Sequence, residues 1–230
     1  MRGALELPGV ARVDVTPGKK PFSVTYDPQR ITAERILAAL KSAREEATVV
    51  PGASATDVEF VRALVRAQED QPSEPAATAR IAPESEPGVP LVLHGRLLDE
   101  DGRTPVARAI VFAYHTDQGG RYDRPGAPAH SWRLRGWAET DAGGRFEFRT
   151  IRPGAYPSRS EAAHVHLNVF TGRARYSAGA LLFEDDPLVR DAERERSRQA
   201  GAFGWVRPVR REGSTEHVDL ALRLDPKTCF

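Results

Sequence analysis

From Leu91 onward, apolar residues recur in short runs separated by turn-forming clusters. L-V-L-H-G-R-L leads into D-E-D-G, and A-I-V-F-A-Y precedes a Gly-Gly turn. R-F-E-F-R-T follows D-A-G-G, and H-V-H-L-N-V-F lies beyond R-P-G. Near the end, Val218, Leu220, Leu222 and Leu224 alternate with Asp219, Ala221 and Arg223, the period-two pattern of a half-buried strand. Several short strands with no helical crossover between them predict a mainly β protein built as an antiparallel β-sandwich. The charged run D-A-E-R-E-R-S-R-Q-A reads as an exposed loop or short helix.

The first 90 residues have a different texture. Val10, Val13 and Val15 mark one short strand, and P-F-S-V-T-Y marks another, ending at Asp27-Pro28. Thr32 caps a helix through T-A-E-R-I-L-A-A-L-K-S-A-R-E-E-A, with Glu34 in its first turn and an apolar stripe of Ile36, Leu37 and Leu40. Thr56 and Glu59 form a capping box for a second helix from about Val58 to Gln68. Residues 67–90 hold five prolines and five acidic residues against one basic residue. Such a stretch carries little apolar surface to offset the entropy of ordering, so it reads as an extended linker. The expected organisation is a small α/β unit over 1–50, a helix and Pro/acidic linker over 51–90, and the sandwich over 91–230.

Charge narrows the function classes. Lys and Arg total 33 against 32 Asp and Glu, a net charge of +1 over 230 residues, so no nucleic-acid partner is expected. No run of 18 apolar residues marks a membrane span. The opening M-R-G-A-L-E-L-P-G-V lacks the apolar stretch of a secretory signal, and a cytoplasmic location is expected. A lone cysteine, Cys229, builds neither an intrachain disulfide nor a thiolate metal site. Any metal must be held by His, Tyr, Asp or Glu. Nucleotide fingerprints of the G-x-G-x-x-G and G-x-x-x-x-G-K-[ST] types are absent.

The sharpest chemical feature is His164-Val165-His166. On a strand both imidazoles face one side while Val165, Leu167 and Val169 face the other, a good wall for a metal site. A pair of solvent-facing histidines on an ordinary sheet fits the same spacing. Tyr156 in R-P-G-A-Y-P-S-R and Tyr122 closing G-G-R-Y both sit in turn-rich loops. A phenol titrates near ~10 and ligates poorly until a hard, highly charged cation strips its proton. Singly, each tyrosine reads as a rim residue; together with the histidines they suggest a ferric site of two nitrogens and two oxygens. His115 and Asp117 either line the pocket or form a polar turn. Trp132 is a candidate lining residue, or a structural aromatic. His94 and His217 receive no role.

Residues 91–187 resemble the intradiol ring-cleavage dioxygenases, the family of protocatechuate 3,4-dioxygenase and the catechol 1,2-dioxygenases. The resemblance is carried by H-G-R-L-L-D-E-D-G-R-T-P-V-A-R-A-I-V-F-A-Y-H-T-D-Q-G-G-R-Y, then L-R-G-W-A-E-T-D-A-G-G-R-F-E-F-R-T-I-R-P-G-A-Y-P, then H-V-H, then L-L-F-E-D-D-P, in that order. It implies one non-haem Fe(III) per chain, held by Tyr122, Tyr156, His164 and His166. Tyr156 matches the tyrosinate that leaves when substrate chelates. The implied reaction cleaves a catechol-like molecule between its hydroxylated carbons with O2, giving a muconate-type diacid, and a homo-oligomer is compatible with it.

Two positions depart from the family pattern. Where an arginine normally precedes the His pair, this chain has Ser160-Glu161-Ala162-Ala163; the resemblance to shorter relatives with a Y-P-x-R pattern implies that Arg159 reaches the same space from further back. Ala180 stands where the family has glutamine. A weakly active or inactive binding module of the same family therefore stays open, as does a zinc or copper protein using the histidines alone. Residues 8–47 resemble the latter part of a heavy-metal-associated domain without its C-x-x-C loop.

Overall fold

The computed structural model describes residues 7–14, 23–26, 30–42, 67, 70–124, 126–127, 131–171 and 175–225. The chain divides into two compact units, Met1–Gln71 with Cys229–Phe230, and Pro72–Thr228. In the first, β1 (Val10–Asp14) and β2 (Ser23–Tyr26) form an antiparallel hairpin, and α1 spans Ala33–Ser42. Val10, Ile31, Ile36 and Leu40 make its small apolar cluster, which takes Ile36 and Leu40 of the expected stripe while Leu37 stays partly exposed. The second helix, with its Thr56 and Glu59 capping box, falls mostly outside the described residues, as does Cys229.

The second unit is a two-sheet sandwich. One sheet orders β10 (Val206–Arg207), β9 (Arg175–Phe183), β8 (His164–Phe170), β5 (Ile110–His115) and β6 (Leu134–Glu139). The other orders β11 (Arg210–Glu212), β12 (Thr215–Arg223), β4 (Pro90–Leu98), β7 (Arg145–Ile151) and β3 (Thr78–Arg80). Alternation packs Val111, Ala113, Val165, Leu167 and Leu181 of the first sheet into a core with Leu91, Leu93, Phe146, Phe148 and Val218 of the second. Each Val, Leu or Phe of this set contributes roughly 1.5–3 kcal/mol by leaving water. The mainly β sandwich is as the patterning predicts, and H-V-H-L-N-V-F coincides with β8.

Two expectations change. The sheets are mixed: β12 with β4, β3 with β7, and β10 with β9 run parallel. Alternation along one strand fixes which face is buried and carries no information about its neighbour's direction. The Pro/acidic stretch is also more than a linker. Thr78–Arg80 adds an edge strand to β7, and Ile81 and Ala82 are buried in the sandwich core. Backbone pairing with a preformed edge and two inward side chains order a segment whose average composition argues against it. The charged run forms α2 (Asp191–Ala200), which buries no residue and opens with the Glu193 carboxylate accepting the Arg190 backbone N–H.

Candidate metal centre

The period of β8 decides the first half of the site. Val165 and Leu167 enter the core, so His164 and His166 face outward from the sheet. Pairing with the neighbouring strands sets Tyr114 of β5 and Ala180 of β9 opposite His166. The Tyr114 ring stacks on His166, with centroids 4.6 Å apart and planes at 18°, and Trp132 stacks on Tyr114 at 4.5 Å and 22°. The start of β8 is tied down by Asp186, whose carboxylate accepts the Ala163 and Leu188 backbone N–H groups.

Two loops supply the other half. After β5, the Asp117 carboxylate accepts N–H bonds from Gly119 and Arg121, closing a tight turn that delivers Tyr122. The Asp117 carbonyl accepts the Gly154 N–H, and Thr116 Oγ1 donates to the Gly154 carbonyl, so this loop is sewn to the one carrying Tyr156. Both contact points require glycine. A Cβ at Gly120, where φ is +76°, would lie 1.9 Å from the Ala155 carbonyl oxygen, and one at Gly154 would lie 2.3 Å from the Gln118 carbonyl oxygen. The Tyr122 carbonyl is held by the Arg133 N–H at 3.1 Å. The Arg133 guanidinium grips Glu86 with two bonds of 2.5 and 2.7 Å, and that carboxylate is only 7% exposed. Arg159 donates its backbone N–H to the Tyr156 carbonyl. Among the described non-glycine residues, Trp132 and Arg159 are two of the three with positive φ, and both border the site.

These elements bring four atoms into a closed ring. Tyr122 Oη lies 2.8 Å from Tyr156 Oη, which lies 3.1 Å from His164 Nε2; that nitrogen is 3.0 Å from His166 Nε2, itself 3.0 Å from Tyr122 Oη. An ion bound at ~2.1 Å by nitrogen and oxygen donors at right angles sets neighbouring donors about 3.0 Å apart, so the residues fit a single metal ion. The tautomer fits as well. His164 Nδ1 lies 2.7 Å from the Ala162 carbonyl, which can only accept, so Nδ1 carries the proton and Nε2 presents a lone pair to the ring.

Electrostatics bear on which ions these residues could hold. Burial, then the hydrogen bond and charge of Tyr156, push the Tyr122 phenol above its ordinary range; burial raises Tyr156 too, against a lowering contribution from Tyr122. Burial, helped by His164, lowers His166 to about 3. Both phenols thus keep their protons by themselves, and a cation ligated by them would have to displace two. A hard, highly charged Lewis acid would favour that displacement, and two phenolates would offset part of its charge. Among the described residues no group of three or more His, Cys, Asp or Glu is arranged to hold a metal, so a metal held here by more than the two imidazoles would draw on the phenols.

Tyr122, Tyr156, His164 and His166 therefore converge as expected, and three pocket candidates do not line it. His115 is fully buried on the core face of β5, opposite Tyr114, with Nδ1 bonded to the Thr116 carbonyl and Nε2 to Thr150 Oγ1, both at 2.6 Å. Burial lowers it to about 4. Asp117 shapes the turn, and Trp132, 2% exposed, backs Tyr114. Glu86 and Tyr114 escape sequence reasoning. Glu86 sits in the apparent linker, 47 residues from Arg133. Tyr114 is marked only by sharing parity with Phe112 and opposing His115, which identifies a face once the strand register is known. Side-chain contacts for Arg159 are absent among the described residues, and it is exposed.

Residues 66–202 match the family model described as Dioxygenase. The chain is 33% identical to catechol 1,2-dioxygenase 1 of Acinetobacter lwoffii, over 48% of this chain and 41% of that protein. It is 35% identical to the protocatechuate 3,4-dioxygenase beta chain of Burkholderia cepacia, over 44% of this chain and 48% of that one. The chain thus spans under half the length of these relatives. An intradiol ring-cleavage dioxygenase from Tetranychus urticae shares the fold, with a TM-score of 0.50 and 21% identity, covering 67% of this chain and 89% of that one.

Proposed function

This chain belongs to the intradiol ring-cleavage dioxygenases, and from that premise we propose that it is a non-haem Fe(III) enzyme. Its substrate would be a catechol-type aromatic, cleaved between the two hydroxylated carbons with incorporation of both atoms of O2 to give a muconate-type diacid. The observation that supports this best is the four-atom ring of Tyr122, Tyr156, His164 and His166, with sides of 2.8 to 3.1 Å. Ferric iron, when bound there, would chelate the diol and draw electron density from its ring, making the ring open to O2.

The chain's own residues then have distinct tasks. The two imidazoles are anchored on β8, and the Ala162 carbonyl keeps the His164 lone pair aimed inward. Tyr122 is held by the Asp117 turn and by the Arg133 N–H, which suits a permanent ligand. Tyr156 is half-buried on an exposed turn and is the ligand free to leave, its Oη taking one of the diol protons as it does so. Arg159, on the same turn, is the cation this loop offers to negative charge developing on the substrate. Tyr114 covers one face of the His166 ring and is itself backed by Trp132.

Oxygen uptake tests the proposal. Iron-loaded protein given catechol, protocatechuate or hydroxyquinol under air should consume one O2 per diacid formed, with no external reductant. Iron-loaded protein that binds catechols and consumes no oxygen across this panel would instead mark a binding module.

A further inference from the structure

Tyr114 carries a hydroxyl for which the described residues provide no partner. The residue is 5% exposed, and among the described residues its Oη has no hydrogen bond, although buried phenols normally find one. Its ring cannot turn to seek one, because Trp132 and His166 clamp it at 4.5 and 4.6 Å. Packing alone is satisfied by the ring, and Phe112 fills the adjacent outward position of the same strand without a hydroxyl. What distinguishes position 114 is its neighbourhood: it pairs with His166 in register, its ring lies 6.0 Å from that of Tyr122, and it interacts electrostatically with both Tyr122 and Tyr156.

Resting on the function proposed above, we infer that the Tyr114 hydroxyl is a substrate-binding donor, kept unpaired to hydrogen-bond an oxygen of the chelating diol. An O–H on a clamped, buried ring whose neighbours include Tyr122 and His166 is already desolvated, so donation to a negatively charged diol oxygen would be gained on binding with little ordering cost. The diol oxygens are common to every substrate of the class, so the contact raises affinity for all of them without selecting among ring substituents.

The test is Tyr114→Phe, which keeps the stacked ring and deletes one oxygen. Iron content and the visible band of the iron-loaded protein should match wild type. Anaerobic titration with catechol, followed through that band, should show Kd weakened about tenfold or more. kcat/KM for oxygen uptake should fall by a similar factor with catechol, protocatechuate and hydroxyquinol alike. Unchanged Kd and kcat/KM in the iron-loaded variant would overturn the inference alone. So would a loss confined to hydroxyquinol or protocatechuate, which would place the hydroxyl against a ring substituent. Wild-type protein that takes up no ferric iron would overturn the proposed function and this inference together.

Discussion

Gly120 lies so close to Ala155 that a methyl group on it would stand 1.9 Å from the Ala155 carbonyl oxygen. This contact joins the loop that carries Tyr122 to the loop that carries Tyr156, and Gly120 holds it at a φ of +76°, where a side chain is strained in any case. Gly120→Ala should therefore destabilise the protein by about 2 kcal/mol or more, since backbone cannot yield as a side-chain tip can. The two phenols should separate and iron uptake should fall with them. Thermal unfolding and iron content of Gly120→Ala, beside a Gly126→Ala control whose Cβ meets nothing within 4 Å, check this.

The Glu86–Arg133 pair is expected to act through Tyr122. Glu86→Gln removes the charge that balances a guanidinium only 23% exposed, at a cost of roughly 1–3 kcal/mol. Because the Arg133 N–H holds the Tyr122 carbonyl, the variant should also lose iron to a chelator faster than wild type. A stability change with unaltered iron release would confine the pair to a scaffolding role.

His115 should make stability depend on pH. Its folded value of about 4 lies below the 6.5 of a free imidazole, so the unfolded chain binds the proton more readily. The stabilising contribution is complete above pH 6.5 and is lost as pH falls through 4, amounting to roughly 3 kcal/mol across the window. Urea midpoints at pH 7.5 and pH 5 should differ more in wild type than in His115→Gln. Equal pH dependence in the two proteins would contradict the assignment.

Glu161 should disfavour carboxylated substrates. Its negative charge raises both Tyr122 and Tyr156, and it occupies the approach where the family resemblance leads one to expect an arginine. Wild type should favour catechol over protocatechuate, and Glu161→Gln should narrow that preference severalfold, less so at high salt. A preference unmoved by the substitution would remove Glu161 from substrate choice.

Much of the candidate site is legible in the chain because two of its proposed ligands obey a local rule. The period of two puts His164 and His166 on one face whatever the neighbouring strands do, and Tyr122 and Tyr156 are flagged by the glycine-rich turns around them. What escaped depends on partners remote in sequence. His115 and Tyr114 are adjacent, and only pairing of β5 with β8 reveals that Tyr114 lies beside His166 of the candidate centre while His115 bonds Thr150 inside the sandwich. Glu86 looked like one acidic residue among several in a proline-rich stretch until the fold placed it on Arg133. Ile81 and Ala82 were hidden in the same way, since two inward residues hardly shift the composition of 24.

The visible spectrum of the iron-reconstituted protein, recorded with its metal content, tests the four-ligand ring most directly. One ferric ion per chain with a tyrosinate-to-iron charge-transfer band is expected, and Tyr122→Phe should abolish that band. Colourless protein that refuses ferric iron, or takes up zinc or copper with Tyr122→Phe indistinguishable from wild type, would contradict the account.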